Sequence, residues 1–225
     1  MTSTPHARSE PKAWDPLAAL SSDRIALLKE YDVLLGQFNQ RVNLISRETG
    51  KDRWTRHILH SLCLAWKPFP PGARVVDWGT GGGLPAIPLA IAFPDVRFLA
   101  VDAVGRKVMA VRAVIRRLEL DNIEALQSRA EEFDETAQYS VSRATAPLSN
   151  LWDWHVRVAD PIVDTSADCW APGLVCLKGG DLTAEIGALQ NRHPGVQVHC
   201  IPLADVVSIP EFVGKAIVTV TASAE

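Results

Sequence analysis

The segment of this chain best suited to chemistry is Val75-Val-Asp-Trp-Gly-Thr-Gly-Gly-Gly-Leu-Pro85, an apolar run that ends in an acid and opens through glycines into a helix. Gly79 and Gly81 let the backbone turn sharply and approach a ligand without a Cβ in the way. Pro85 suits a first helical position, where its missing N–H is not needed. Ligands of open α/β sheets occupy such a crevice, at the carboxyl ends of the strands. A dinucleotide fingerprint would need glycine where the chain has Leu84, and a phosphate-binding loop would need G-K-[ST], so neither applies. What stands here is D-x-G-x-G-x-G, from Asp77 to Gly83. A second acid, Asp102, ends the next apolar run, Phe98-Leu-Ala-Val-Asp102. A carboxylate placed there can accept hydrogen bonds from two ribose hydroxyls. After the third run comes Ser128-Arg-Ala-Glu-Glu132, where backbone groups of Ala130 and Glu131 can read an adenine edge. An ordinary helix start, with acids favoured by the dipole, explains that segment equally well.

The D-x-G-x-G-x-G spacing is similar to the first motif of S-adenosylmethionine-dependent methyltransferases. For such chemistry the next informative segment is Ser142-Arg-Ala-Thr-Ala-Pro147, after the fourth run. It differs from the Asn/Asp-Pro-Pro-aromatic segment associated with methylation of exocyclic base amines. Cys169 and Cys176 lie a strand further on, out of place to attack a pyrimidine ring. This favours a ring nitrogen as acceptor, whose in-plane lone pair needs positioning and no general base. The sequence accordingly shows no Ser/His/Asp or Cys/His arrangement. Arg143 allows two readings: a planar guanidinium that orients donor or acceptor, or a structural ion pair with an acid such as Glu131.

These residues must be positioned by a fold. From Gly72 onward short apolar runs alternate with helical stretches, the pattern of βαβ units around a parallel sheet. Strands are expected at 74–77, 96–102, 123–127, 139–142, 174–177, 196–202 and 216–221, the last two as an antiparallel hairpin at a sheet edge. Helices are expected at 84–93, 105–118, 148–158 and 182–190. Upstream, Leu28, Leu34, Leu35, Phe38 and Val42 recur at helical spacing, Ser22 or Asp23 supplies a cap, and a second helix is expected over 50–66. The expected organisation is a flexible tail at 1–15, an N-terminal helical extension at 16–71 and a catalytic domain at 72–225.

Composition sets the outer limits. The chain has 225 residues, 47% of them hydrophobic, and a net charge of −3, which suits one soluble α/β core and argues against a broadly basic coat. No apolar run is long enough to cross a membrane, and no secretory signal opens the chain. Four cysteines, Cys63, Cys169, Cys176 and Cys200, form no metal-ligand or disulfide spacing, so buried thiols in a reducing cytoplasm are expected. No metal site is indicated.

With these residues assembled, the chain resembles the bacterial small-subunit rRNA guanine-N7 methyltransferase family of the RsmG/GidB type. The resemblance runs from about Leu27 to Lys178 through ordered motifs: Asn43-Leu44, Arg56-His57 with Ser61-Leu62, the glycine loop with Leu84-Pro85, Asp102 with Gly105-Arg-Lys107, Arg129-Ala-Glu-Glu132, Ser142-Arg-Ala144 and Leu177-Lys-Gly179. It implies a Rossmann-like, doubly wound, mostly parallel seven-stranded sheet, with S-adenosyl-L-methionine as cofactor and 16S ribosomal RNA or the small ribosomal subunit as partner. It implies that Gly79, Leu84, Ala130, Glu131 and Arg143 contact the donor, with Asp102 on its ribose; Asp77 and Gly81 of the glycine loop complete the expected cofactor-binding set, and Arg143 is also the catalytic candidate. A monomer in the cytoplasm is expected. His60 stands where the family usually has an acid, Trp78 is bulky for the loop, and the C-terminus lacks the basic ending many relatives carry.

For RNA contact, Arg47, Arg53 and Arg106 fall near the expected mouth, whereas Arg112, Arg116 and Arg117 read as a solvated helix face. Trp152, Trp154 and Trp170 could stack on bases, with packing as their default role. A methyltransferase acting on a small molecule or protein, or a non-catalytic cofactor-binding regulator, would use the same donor residues.

Overall fold

The computed structural model describes residues 13–46, 52–143, 146–160 and 166–223. The chain enters through α1 (Ser22–Asn39) and a short helical segment (Trp54–Trp66). There follow β1 (Arg74–Trp78), α3 (Ala86–Ala92), β2 (Arg97–Asp102), α4 (Gly105–Arg117), β3 (Ile123–Gln127) and β4 (Tyr139–Arg143), where α2 is kept for His60–Leu62 inside the short segment. The chain closes with α5 (Leu148–Val158), β5 (Gly173–Gly179), α6 (Thr183–Arg192), β6 (Val196–Pro202) and β7 (Lys215–Ala222). The sheet order is β3-β2-β1-β4-β5-β7-β6. The first five strands are parallel, and β7 runs antiparallel to both β5 and β6. Strand order reverses between β1 and β4, the point at which open α/β sheets bind ligands.

Strand alternation divides the interior into two cores. Val75, Phe98, Ala100, Tyr139, Val141, Val175 and Ile217 face one side, where α1, α3, α4 and the short segment cover them. Val76, Trp78, Leu99, Val101, Leu174, Cys176 and Val218 face the other, under α5 and α6. Burial on both faces explains why these strands read as continuous apolar runs. Trp78 fits because its indole N–H donates to the Ser140 hydroxyl at 2.9 Å and its ring meets Phe133 edge-on at 5.5 Å. Without that acceptor a fully buried indole would leave a donor unpaired.

The N-terminal helices do more than extend the domain. The Tyr31 hydroxyl donates to the Gly82 carbonyl at 2.9 Å, and a Cβ at Gly82 would lie 2.8 Å from Leu35 Cδ1. The Asn39 side chain accepts from the Leu44 and Ile45 N–H groups at 2.8 and 2.9 Å. The helix therefore grips the glycine loop from above, and Leu44 is led down to the same loop. Its N-cap is Ser21, one residue before the expected cap, with Oγ accepting from the Arg24 N–H at 3.4 Å. Trp14, at the end of the expected tail, donates its N–H to the Val206 carbonyl at 3.0 Å and packs on the core.

Between Trp54 and Trp66 the expected regular helix is replaced by a π turn (Trp54–Leu59), one α turn (His60–Leu62) and a tight final turn (Cys63–Trp66). Such wide turns are uncommon and concentrate at functional sites. Cys63 and Cys176 are buried, but Cys200 is exposed on edge strand β6, contrary to the expectation of buried thiols. No described helix is long and apolar enough to cross a membrane.

Candidate active site

The carboxyl ends of β1, β2 and β3 enclose a cavity of about 500 Å³. Gly79, Gly81, Asp102, Ala130 and Glu131 of the expected set line it, joined by Leu44, Val101, Lys107 and Trp154, which sequence reasoning did not place there. Asp102 organises the floor: Oδ2 accepts from the Gly81 N–H at 3.0 Å and Oδ1 from the Val104 N–H at 2.9 Å. Lys107 Nζ stands 3.9 Å from Oδ2. An ionised carboxylate offers about four lone-pair sites. Two are taken by backbone, which leaves two for the paired hydroxyls of a ribose. Trp154 supplies an apolar wall, its indole N–H held by Glu131 Oε1 at 3.1 Å. Acid, backbone and flat apolar wall together fit an adenosine-bearing ligand. Trp152 and Trp170 are buried in packing, outside this cavity's lining.

Asp77 and Leu84 lie beneath the loop. Asp77 is fully buried and Oδ2 accepts from the Ala86 N–H at 3.2 Å, which caps the start of α3. Burial pushes its carboxyl up to about 7, against the pull of the Thr80 hydroxyl, the Ala86 N–H and Arg143. Leu84 is 3% exposed and packs in the core below the turn. Gly83 shows why the loop is glycine-rich: its φ is +93°, and a Cβ there would lie 2.4 Å from Ile87 Cδ1.

Arg143 stands at the tip of β4, beside the strand-order reversal. Its Nη1 donates to the Arg56 carbonyl at 3.2 Å and to His57 Nδ1 at 2.7 Å. Glu131, the acid considered as its partner, is engaged instead by Trp154 and, through its carbonyl, by Arg157. Arg143 thus ties the π turn to the sheet. His57 is buried, and burial followed by repulsion from Arg143 pushes its imidazole down to about 3. A neutral ring that accepts at Nδ1 carries its proton on Nε2.

The positively charged candidates separate. Arg106 is exposed in the first turn of α4, next to cavity-lining Lys107. Arg53 is drawn into a fork on Asp32, with contacts of 3.2 and 3.3 Å, and lies across Gly36. Arg47 lies outside the described residues. Arg112, read as solvated, donates Nε to the Ala125 carbonyl at 2.8 Å. No described group of His, Cys, Asp and Glu could hold a metal ion.

The buried histidines predict an acid-sensitive fold. His155, on α5, is pushed down to about 4 by burial, and His60 is lowered in the same way. Each of the three rings has a folded value below its unfolded value near 6.5, so the unfolded chain binds more protons and stability is lost as pH falls below about 6.5. Asp77 acts oppositely, its raised carboxyl favouring the fold as pH falls through about 7. Three groups outweigh one, so urea unfolding is expected to show stability declining from pH 6.5 to 4.5 with uptake of about two protons. A flat profile would mean that the rings are already charged in the fold.

Comparison with known proteins agrees with this geometry. Residues 24–165 match the family described as GidB, rRNA small subunit methyltransferase G. A ribosomal RNA small subunit methyltransferase G of Salinibacter ruber is 50% identical over 203 residues, covering 90% of this chain and 94% of its own length. Its counterpart in Chlorobium limicola is 43% identical over 177 residues, covering 77% and 76%. A SAM-dependent methyltransferase of known structure from Aquifex aeolicus shares the fold at TM-score 0.53 and 17% identity, over 75% of this chain and 93% of that one. The glycine loop, the Asp102 floor and the sheet order are therefore those of a Rossmann-like S-adenosylmethionine-dependent methyltransferase, and the chain belongs to the GidB family of rRNA small subunit methyltransferases.

Proposed function

We propose that this enzyme methylates the N7 of a guanine in 16S ribosomal RNA, in the cytoplasm. The observation that carries the reading is the chemistry of the β4 tip. The groups at that tip are a guanidinium and an imidazole whose basicity is suppressed, so they can hold and orient but are poor proton acceptors. That suits a nucleophile that arrives with its own lone pair and no proton to lose. When bound, the donor supplies a methyl group on a positively charged sulfur. The N7 lone pair forms the new N–C bond as the C–S bond breaks with its electron pair to sulfur, and the positive charge passes to the purine. The protein's contribution is alignment.

In this reading Asp102 holds the ribose, Gly79 and Gly81 bring backbone to the amino-acid end, and Ala130 and Glu131 border the adenine. Asp77 and Leu84 keep the loop in shape, and Arg143 orients the reacting groups. Arg106, and Arg47 beyond the described residues, face the RNA backbone; Arg53 acts there only if RNA displaces Asp32. Purified enzyme with methyl-labelled donor should place label in small-subunit RNA as N7-methylguanine, and cells lacking the protein should lose one such guanine. Label confined to protein or small molecules would overturn the proposal. Arg106→Ala is expected to leave donor affinity unchanged and to flatten the salt dependence of RNA binding by a little under one unit of slope. An unchanged slope would return Arg106 to the solvated surface.

A further inference from the structure

On the far side of Arg143 lies a second cavity, of about 650 Å³, at the carboxyl ends of β4 and β5 and the start of β7. Its lining includes His60, Pro147, Leu177, Lys178, Glu185 and Lys215. The two lysines differ in kind. Lys178 Nζ is satisfied, at 2.6 Å from Glu185 Oε1 and 2.5 Å from the Ala146 carbonyl. Glu185 Oε1 also accepts from the Leu148 N–H at 2.6 Å, which closes that wall. Lys215 makes no ion pair among the described residues, and neither does exposed Arg56. Arg56 and Arg143 both repel the Lys215 ammonium, whose nearest aromatic contact is the Phe212 ring, 5.1 Å away.

Arg56 and Arg143 each repel the Lys215 ammonium more than Glu211 attracts it, a cost that an anion bound beside Lys215 relieves. A second, independent observation concerns His60. It is 8% exposed, packs at 5.1 Å against Phe212, and has no partner for Nε2 among the described residues. Buried polar atoms are normally paired, and an exception calls for an explanation such as a missing ligand. Apolar Pro147 and Leu177 complete a site with flat and polar character together. Its volume is within the range of small-molecule sites, and a base that enters it from a structured RNA leaves its stack to do so.

We propose that this second cavity receives the acceptor purine nucleotide, everted from the RNA, with Arg56 and Lys215 holding its phosphodiester and His60 facing the base. The assignment rests on the methylation reading above and adds the place where the acceptor sits. Arg143, at the tip of β4, then stands where the strands that carry the two cavities meet. Two variants isolate the site. Lys215→Met removes an unpaired charge at nearly constant shape. Gly179→Phe fills the cavity from a position where a Cβ meets nothing closer than 3.5 Å.

The test uses the full-length protein loaded with S-adenosylhomocysteine and guanosine 5′-monophosphate as probe, read by saturation-transfer NMR at millimolar concentration. The wild type is expected to show transfer, Lys215→Met at least a fivefold weaker signal, and Gly179→Phe none. Both variants should keep S-adenosylhomocysteine affinity within twofold by calorimetry, and Lys215→Met should melt no lower than wild type. In methylation of small-subunit RNA, Lys215→Met should raise KM about tenfold with a smaller change in kcat. Equal transfer in all three proteins, no transfer in the wild type, or wild-type KM and kcat in both variants would overturn the assignment. A wild type that binds the nucleotide in this cavity yet methylates no ribosomal RNA would instead sink the proposed reaction and leave the cavity assigned.

Discussion

Replacing Asp102 with alanine is expected to weaken S-adenosylmethionine binding by about a hundredfold or more. Hydrogen bonds to a charged acceptor are worth roughly 1.5–3 kcal/mol, about ten- to a hundredfold in affinity. The carboxylate also holds the Gly81 and Val104 N–H groups, so its loss frees the glycine loop and the entry to α4 at the same time. These two effects separate in Asp102→Asn, which keeps one accepting oxygen and should fall between wild type and alanine. Calorimetry with donor and with S-adenosylhomocysteine reads the affinities, and a thermal melt reports how much of the loss is unfolding. Affinity unchanged in the alanine variant would remove the ribose from this carboxylate.

Arg143→Lys is expected to lower single-turnover methyl transfer by about a hundredfold while donor affinity changes little. Misplacing a reacting group by about 1 Å costs on that order. Lysine keeps the charge but not the planar fork, and one ammonium cannot reproduce guanidinium geometry toward the Arg56 carbonyl and His57 Nδ1. The structure couples a modest stability loss to this, about 1–3 kcal/mol for a buried acceptor left unpaired, or several degrees in melting midpoint. The loss should appear in turnover more than in KM. A lysine variant that is fully active and equally stable would exclude Arg143 from the site, whereas one that loses stability with unchanged turnover would make it structural only.

Arg143 also illustrates where sequence reading stops. Its place at a strand end followed from the apolar run before it, but its partners lie 86 and 87 positions away and no spacing rule reaches them. The same holds for Arg53, whose partner Asp32 is on α1, and for Trp154, indistinguishable in sequence from Trp152, which packs inside. Elements bounded by strong local signals were legible: β3, α5 and β6 fall at 123–127, 148–158 and 196–202 as their patterns indicate. The edge pairing of β6 with β7 also follows, since only two three-residue helical turns intervene, too short to carry the chain across to a parallel strand. The π turn was not legible, because a six-residue change of pitch leaves the apolar spacing almost unaltered. Asp102 and the glycine loop could be read as a site because one βαβ unit holds both. The second cavity could not, since His60, Lys178, Glu185 and Lys215 belong to four separate elements that meet only when β7 returns along β5.

The reversal of strand order between β1 and β4 has an evolutionary reading. The donor cavity hangs on β1, β2 and β3, the second cavity on β4, β5 and β7, and they share no strand. Substitutions can therefore redraw one side without loosening the other, which makes the second half an exchangeable module beside a fixed donor site. Such freedom demands that reactants still be brought into register across the seam. Arg143, on the β4 side of that reversal, ties the π turn to the sheet, so retargeting this scaffold to a new acceptor should begin from the β4–β5–β7 half with that bridge kept intact.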